Sequence, residues 1–283
     1  EHLFVANTHS YILFFTDKGK CYWVKVYDIP EGGRAAKGRA IVNLIGCEPD
    51  EKVSAFISVK EFNDDHFVVM ATEKGIVKKT KLSAYSNPRK KGIYAVEIRD
   101  GDKLIEARVS TGDNDILLGT RNGKSIRFSE EQIRPSGRKT MGVKGITLSS
   151  KDDRLVGMLL IKREGTTVLV ATEKGFGKRT EISQYRAQKR GGKGVLTMKT
   201  TDKVGKMVTI KEVVDKDDLM IITNQGVLIR QPVSQIRAIG RATQGVKLIK
   251  LGEGTLVSSI TRIMSEEDDG DENNSAEPEG SSE

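Results

Sequence analysis

Short runs of β-branched and aromatic residues fill the chain, separated by polar turns that carry glycine. Phe67-Val-Val-Met-Ala71 precedes one such turn and Ile76-Val-Lys-Lys-Thr80 follows it. A glycine between two runs of this kind supplies the positive φ that a tight hairpin needs. The turn recurs as Thr16-Asp-Lys-Gly19, Thr72-Glu-Lys-Gly75, Thr120-Arg-Asn-Gly123, Thr172-Glu-Lys-Gly175 and Thr223-Asn-Gln-Gly226, with successive glycines 56, 48, 52 and 51 residues apart. Ten residues beyond each glycine stands Ile29, Tyr85, Ile133, Tyr185 or Ile236. Four units carry a second glycine at plus nineteen (Gly38, Gly142, Gly194, Gly245), and the remaining one has Gly92 at plus seventeen. Three landmarks holding register through five units establish an internal repeat.

Each unit offers two further β-type runs. One follows the second glycine, as in Ile93–Ile98, Val195–Met198 and Val246–Ile249, and the other precedes the next hairpin, as in Val53–Val59, Leu104–Val109, Leu155–Ile161 and Met207–Val213. Four strands per unit of about 50 residues predict an all-β, propeller-like disc of four-stranded blades, each burying its faces against its neighbours. A hydrophobic content of 37% suits such thin layers better than one thick core. Runs of the last type also occur at Leu3–Ala6 and Leu256–Ile263, which gives six for five hairpins. The surplus strand either closes a five-bladed ring or marks a sixth blade truncated upstream of Glu1.

Charge changes the picture from fold to partner. The formal charge is +8, from 47 Lys and Arg against 39 Asp and Glu, but nine of the acids and none of the bases lie in residues 265–283. Residues 1–264 therefore form a body of +17, and the rest an acidic tail of −9 without enough apolar residues to fold. The tail is either a solubilising extension or a competitor for whatever anion the body binds. No run approaches the ~18 apolar residues of a membrane span, and no signal-type segment opens the chain. Cys21 and Cys47 are too few for a disulfide framework or a four-ligand zinc site and should pack as small hydrophobes. A cytoplasmic, monomeric, chromosome-associated domain without membrane contact fits these features.

The positive charge gathers between the two glycines of each unit. These loops hold Arg34, Lys37 and Arg39; Arg89, Lys90 and Lys91; Arg138, Lys139 and Lys144; Lys189, Arg190 and Lys193; and Arg237 and Arg241. A single such loop reads as ordinary solvated surface. Five at one position of a repeat predict a basic belt around the disc, suited to double-stranded DNA. Lysine and arginine neutralise phosphates, and glycines let backbone N–H groups approach phosphate oxygens; neither device reads base sequence.

Catalytic chemistry finds no support. His2, His9 and His66 are scattered without ligand or triad spacing, and no set of residues suggests a metal site. Gly32-Gly33 and Gly191-Gly192 do not match a nucleotide-binding loop. Tyr27, Tyr85 and Tyr185 lie at or near the plus-ten position, where isoleucine replaces tyrosine in other units, which indicates core packing.

The heptad Gln188-Lys189-Arg190-Gly191-Gly192-Lys193-Gly194 resembles the signature box of the DNA gyrase A C-terminal domain, Gln-Arg-Arg-Gly-Gly-Lys-Gly, with Lys189 as a charge-preserving departure. Leu3–Ile12, Tyr22–Tyr27, Gly38–Asn43, Ser86–Lys90 and Gly240–Val246 extend the resemblance along residues 1–264. It implies a six-bladed β-pinwheel that wraps DNA around its perimeter and supports ATP-dependent negative supercoiling by a type IIA topoisomerase. On that basis the surplus strand is the remnant of a truncated sixth blade. The partners it implies are the remainder of gyrase A and the ATPase of the holoenzyme, gyrase B. ATP and magnesium are expected on other domains, with no cofactor and no catalysis in this one. One feature departs from the family: the box belongs in the first blade, and here it lies in the fourth unit, either relocated or additional to one lost upstream. The related topoisomerase IV domain, whose box tends to be degraded, is the nearest alternative. A propeller adaptor would call for aromatic loop tips, and a propeller hydrolase for a convergent acid–base or metal set.

Overall fold

A computed structural model describes residues 6–32, 38, 40–162 and 165–263. The acidic tail and residues 3–5 of the surplus strand lie outside them, and Ala6 is not in a strand. The first repeat forms β1 (Tyr11–Thr16), β2 (Lys20–Lys25) and β3 (Val53–Val59). The second forms β4 (Phe67–Thr72), β5 (Ile76–Lys81), β6 (Ile93–Tyr94) and β7 (Leu104–Ser110). In the third are β8 (Asp115–Thr120), β9 (Lys124–Ser129), β10 (Val143–Lys144) and β11 (Leu155–Ile161). The fourth contains β12 (Thr167–Thr172), β13 (Phe176–Glu181), β14 (Val195–Leu196) and β15 (Met207–Val213), and the fifth β16 (Asp218–Thr223), β17 (Leu228–Pro232), β18 (Val246–Lys247) and β19 (Val257–Ile263).

The blades are assembled by exchange. Four sheets have the orders β3-β1-β2-β6, β7-β4-β5-β10, β11-β8-β9-β14 and β15-β12-β13-β18. The short outer strand of each comes from the repeat that follows, so a sequence unit is not a blade. Repeats two to five each hold the four strands that the spacing predicts, but the first four blades each draw on two repeats. The loop ahead of each short strand, such as residues 86–92, is long enough to carry the chain across to the neighbouring sheet. Among the described residues the fifth sheet has three strands, β17-β16-β19. In the first repeat, residues after Gly38 form a short helix, α1 (Ile41–Ile45), in place of an outer strand. Gly46, at φ 62°, ends it.

Packing explains the apolar runs. The long strands β3, β7, β11, β15 and β19 lie side by side at the centre. The first hairpin strands β1, β4, β8 and β12 are buried on both faces, and successive side chains serve different neighbours. In β4, Val68 and Met70 pack with Leu13 and Phe15 of the first sheet, whereas Val69 and Ala71 pack with Ile116 and Leu118 of the third. In β12, Val168 and Val170 face Leu117, and Leu169 and Ala171 face Leu219 and Ile221. The outer face of the first sheet, with Ile12, Phe14 and Tyr22, is closed by Ile45 of α1. Tyr85, Ile133, Tyr185 and Ile236 are all buried at plus ten, but Tyr27 is 62% exposed and contributes no core. Cys21 is buried and Cys47 half-buried, both as free thiols.

The recurrent turn has two jobs. At each site the glycine N–H donates to the threonine carbonyl, at 2.9 Å for Gly19 and 3.0 Å for Gly123. At the first four sites the glycine carbonyl also accepts two N–H groups from the next repeat, such as Ala95 and Val96 on Gly19 and Thr197 and Met198 on Gly123. These bonds draw the chain out of the ladder, which is why the predicted run Ile93–Ile98 is a strand over only two residues. A Cβ at Gly123 would sit 2.1 Å from the Met198 carbonyl oxygen.

Candidate nucleic-acid interface

From the second repeat on, each basic loop begins at the buried plus-ten residue and ends in the short outer strand of the preceding blade, so these loops occupy the outer edge of the sheets. Three of their starts are fixed by the side chain four residues beyond the preceding hairpin glycine. Trp23 Nε1 donates to the Tyr85 carbonyl at 2.9 Å, Arg127 Nη1 to Tyr185 at 3.3 Å, and Arg179 Nε to Ile236 at 2.7 Å.

Three of their ends are fixed by an arginine four residues before the second glycine. Arg138 Nη1 donates to the Tyr94 carbonyl at 3.2 Å, Arg190 Nη1 to Lys144, and Arg241 Nη1 to Leu196 at 2.8 Å. In every case the acceptor is the second residue of the previous outer strand. Three of the arginines picked out for phosphate binding thus form a ladder that ties successive loops together. Arg190 also donates through Nε to the Gln132 carbonyl at 3.2 Å, and its backbone N–H donates to Gln132 Oε1 at 2.8 Å. Arg241 lies over the Tyr185 ring, 6.0 Å from its centroid.

The lysines between these anchors face solvent. Arg89, Lys90 and Lys91 are exposed, as are Lys139, Lys144, Lys189, Lys193 and Arg237. None of them is in an ion pair among the described residues. Arg34, Lys37 and Arg39 lie outside the described residues. Within the heptad, Gln188 is half-buried and its N–H donates to the Arg127 carbonyl at 2.8 Å. Gly191 has φ 83°, donates to the Gly145 carbonyl at 2.8 Å, and its own carbonyl accepts from Thr147 Oγ1 at 2.7 Å. Gly192 accepts from Thr147 N, and a Cβ at Gly194 would meet the Ser125 carbonyl at 2.3 Å. Gly191 is therefore set by its positive φ and Gly194 by its close approach to β9, and Lys189 and Lys193 are the heptad's outward charges.

Lys247, on β18, stands where Lys144 stands on β10 and is exposed. Sequence reasoning passed over it, although its offset of two from Gly245 matches that of Lys144 from Gly142. Groups of His, Cys, Asp and Glu able to hold a metal are absent among the described residues. His66 Nδ1 is within 2.9 Å of Asn63 Oδ1, and His9 is exposed.

A family model described as DNA gyrase C-terminal domain, beta-propeller, matches residues 10–60, 66–111, 114–162, 166–213 and 217–263, one match for each repeat. The chain belongs to this family. The DNA gyrase A protein of Staphylococcus epidermidis is 45% identical over 270 residues, covering 95% of this chain and 30% of the relative. Its Clostridium acetobutylicum counterpart is 46% identical over 290 residues, covering 98% and 35%. The chain spans about a third of the length of these curated relatives. Among solved structures, the C-terminal domain of DNA topoisomerase IV superimposes with a TM-score of 0.84 at 25% identity, covering 91% of this chain and 80% of that one. A DNA gyrase A C-terminal domain gives 0.79 at 23% identity, with 92% and 84% covered, and shares the fold.

Proposed function

We propose that this chain is the DNA-wrapping part of a type IIA topoisomerase of the gyrase kind, bending duplex DNA around the outer edge of its blades. The observation that carries this reading is the recurrence of solvent-facing lysines in the same loop and outer strand of successive repeats: Lys139 and Lys144, Lys189 and Lys193, and Lys247, with Lys144 and Lys247 at the same offset from their glycines. Lysines repeated at that interval meet phosphates along a curved path, and the arginine ladder beneath holds them in register. Bending ~20–30 base pairs by ~40–90° costs on the order of 1–6 kcal/mol, so distributed contacts are required. Histones solve the same problem with contacts that do not read bases.

Catalysis on this reading belongs elsewhere in the full-length protein. The buried phenols Tyr85 and Tyr185 serve the core, and ATP and magnesium act on other domains, with gyrase B supplying the ATPase. Supercoiling by the whole assembly, a bacterial cytoplasmic setting and the separate standing of residues 265–283 as a tail are parts of the same proposal. The topoisomerase IV structure superimposes well, but the curated relatives quoted above and the Gln188–Gly194 heptad favour gyrase.

Ligation of nicked plasmid circles in the presence of the chain tests wrapping. The expected result is a linking-number shift of one sign, with affinity falling by about 0.9 log units per log unit of salt for each phosphate neutralised. Binding that ignores salt, or binding without a topological shift, overturns it.

A further inference from the structure

Lys78 and Lys178 occupy one position, three residues beyond Gly75 and Gly175. They are 2% and 0% exposed, yet neither is in an ion pair among the described residues. Lys78 Nζ donates to the Ala95 carbonyl at 2.7 Å and to that of Arg138. Lys178 Nζ donates to the Gly240 carbonyl at 2.6 Å, to that of Arg241, and to Thr243 Oγ1 at 3.1 Å. All three donors of the Lys178 ammonium are thereby used.

The acceptors on Arg138, Gly240, Arg241 and Thr243 belong to two basic loops of the following repeats. Gly137-Arg-Lys-Thr-Met-Gly142 and Gly240-Arg-Ala-Thr-Gln-Gly245 share both sequence pattern and geometry. Thr140 Oγ1 donates to the Gly137 carbonyl at 2.9 Å, and Thr243 Oγ1 to that of Gly240 at 3.0 Å. The Thr140 carbonyl accepts from Glu97 N at 3.1 Å, and that of Thr243 from Lys199 N at 3.0 Å. The heptad loop is the internal counter-example. The position beneath it is Ile126, its own residue at the threonine site is Gly192, and Gly192 accepts the equivalent bond from Thr147 N at 2.8 Å without any ammonium. Lysine beneath goes with Gly-Arg-x-Thr-x-Gly above; isoleucine goes with the glycine pair.

We propose that Lys78 and Lys178 are positioning residues for DNA: each ammonium gathers carbonyls of one Gly-Arg-x-Thr-x-Gly loop inward and so holds the loop's outward cations in place for phosphate. This rests on the wrapping function proposed above. A buried ammonium persists only where several dipoles replace its water, and those carbonyls would otherwise be left unsatisfied. Burial, followed by the nearby Arg138 guanidinium, lowers Lys78 to about 8, with Glu97 opposing. Burial and Arg241 lower Lys178 to about 8 as well. Both clamps are charged at neutral pH and lose their charge and one donor as pH rises past 8.

The test compares the wild-type chain with Lys78→Met/Lys178→Met, and with each single variant should the double fail to fold. Hydrogen exchange without DNA, corrected for intrinsic rates, follows the amides of Glu97 and Lys199, with Thr147 as the internal control. The expected result is at least a tenfold loss of protection at Glu97 and Lys199, none at Thr147, and a several-fold smaller linking-number shift. Wild-type wrapping should also decline between pH 7 and 9, a decline that the double variant lacks. Unchanged protection overturns the clamp, and lost protection with unchanged wrapping overturns its role in DNA binding. Should the wild type itself fail to wrap, the wrapping reading falls and the role in DNA binding with it, while the exchange data still decide whether the clamp exists. A wild-type protection series over the same pH range needs no variant, and a flat series overturns the clamp.

Discussion

The Arg190 guanidinium donates to the carbonyl of Lys144, on the outer strand contributed by the preceding repeat, and to that of Gln132. A residue with every appearance of a phosphate ligand is thus also a joint between loops. The heptad's three cations should separate by experiment. Arg190→Ala removes charge-assisted bonds to two carbonyls and is expected to cost about 1–3 kcal/mol in urea unfolding. Lys189→Ala and Lys193→Ala should leave stability within about 0.5 kcal/mol while reducing the linking-number shift. Equal stability in all three would show that the Arg190 bonds contribute nothing.

The hairpin glycines allow a clean comparison. Gly123 and Gly226 have φ of 82° and 81°, so alanine at either incurs the same left-handed penalty of about 1–2 kcal/mol. At Gly226 an added Cβ meets nothing within 4 Å, whereas at Gly123 it lies 2.1 Å from the Met198 carbonyl oxygen. Gly123→Ala should therefore be more destabilising by at least about 2 kcal/mol, and it should loosen β14 from β9. Similar unfolding midpoints for the two variants would refute the close approach as a reason for glycine.

A buried ion pair joins the second and third repeats. Lys79 Nζ lies 3.0 Å from Glu130 Oε1, with side chains 5% and 0% exposed, and Lys79 also donates to the Gly112 carbonyl at 3.1 Å. Lys79→Met strands a buried carboxylate and is expected to cost about 3–5 kcal/mol. Adding Glu130→Leu should recover much of that loss, because the lone charge then disappears. A double variant worse than the sum of the singles would contradict this account.

The repeat was legible because it is written in residue types that the backbone demands. Thr-x-x-Gly fills a site that geometry imposes five times, and the plus-ten residue one that is buried in four of the five repeats. The exchange of outer strands was not legible, since Ile93-Tyr94 would pair equally well within its own unit; the pairing of Cys21 with Ile93 and of Lys20 with Tyr94, and the Gly19 carbonyl taking both Ala95 and Val96, show where it goes. Exposed loop lysines were found by charge and position. The arginine ladder and the buried Lys78 and Lys178 were not, because a sequence does not say which cations face inward. The pairing of Lys178 with Gly-Arg-x-Thr-x-Gly, against Ile126 with Gly-Gly, was nevertheless present as a correlation between units.

Those buried lysines give a pH dependence whose sign is specific. Each releases its proton near pH 8 in the folded chain, against an ordinary value of 10.5. Between these values the unfolded chain holds more protons, so folding stability from these groups increases with pH. The contribution is complete above 10.5 and is lost as pH falls through 8. Urea midpoints of the wild type relative to Lys78→Met/Lys178→Met should therefore shift in favour of the wild type from pH 7.5 to 9.5. Over the same range the loops lose their ammonium clamps, so DNA wrapping should weaken while the fold gains stability. A structural destabilisation would move both in the same direction; opposite trends identify the lysines as residues that hold loops at a cost to the fold.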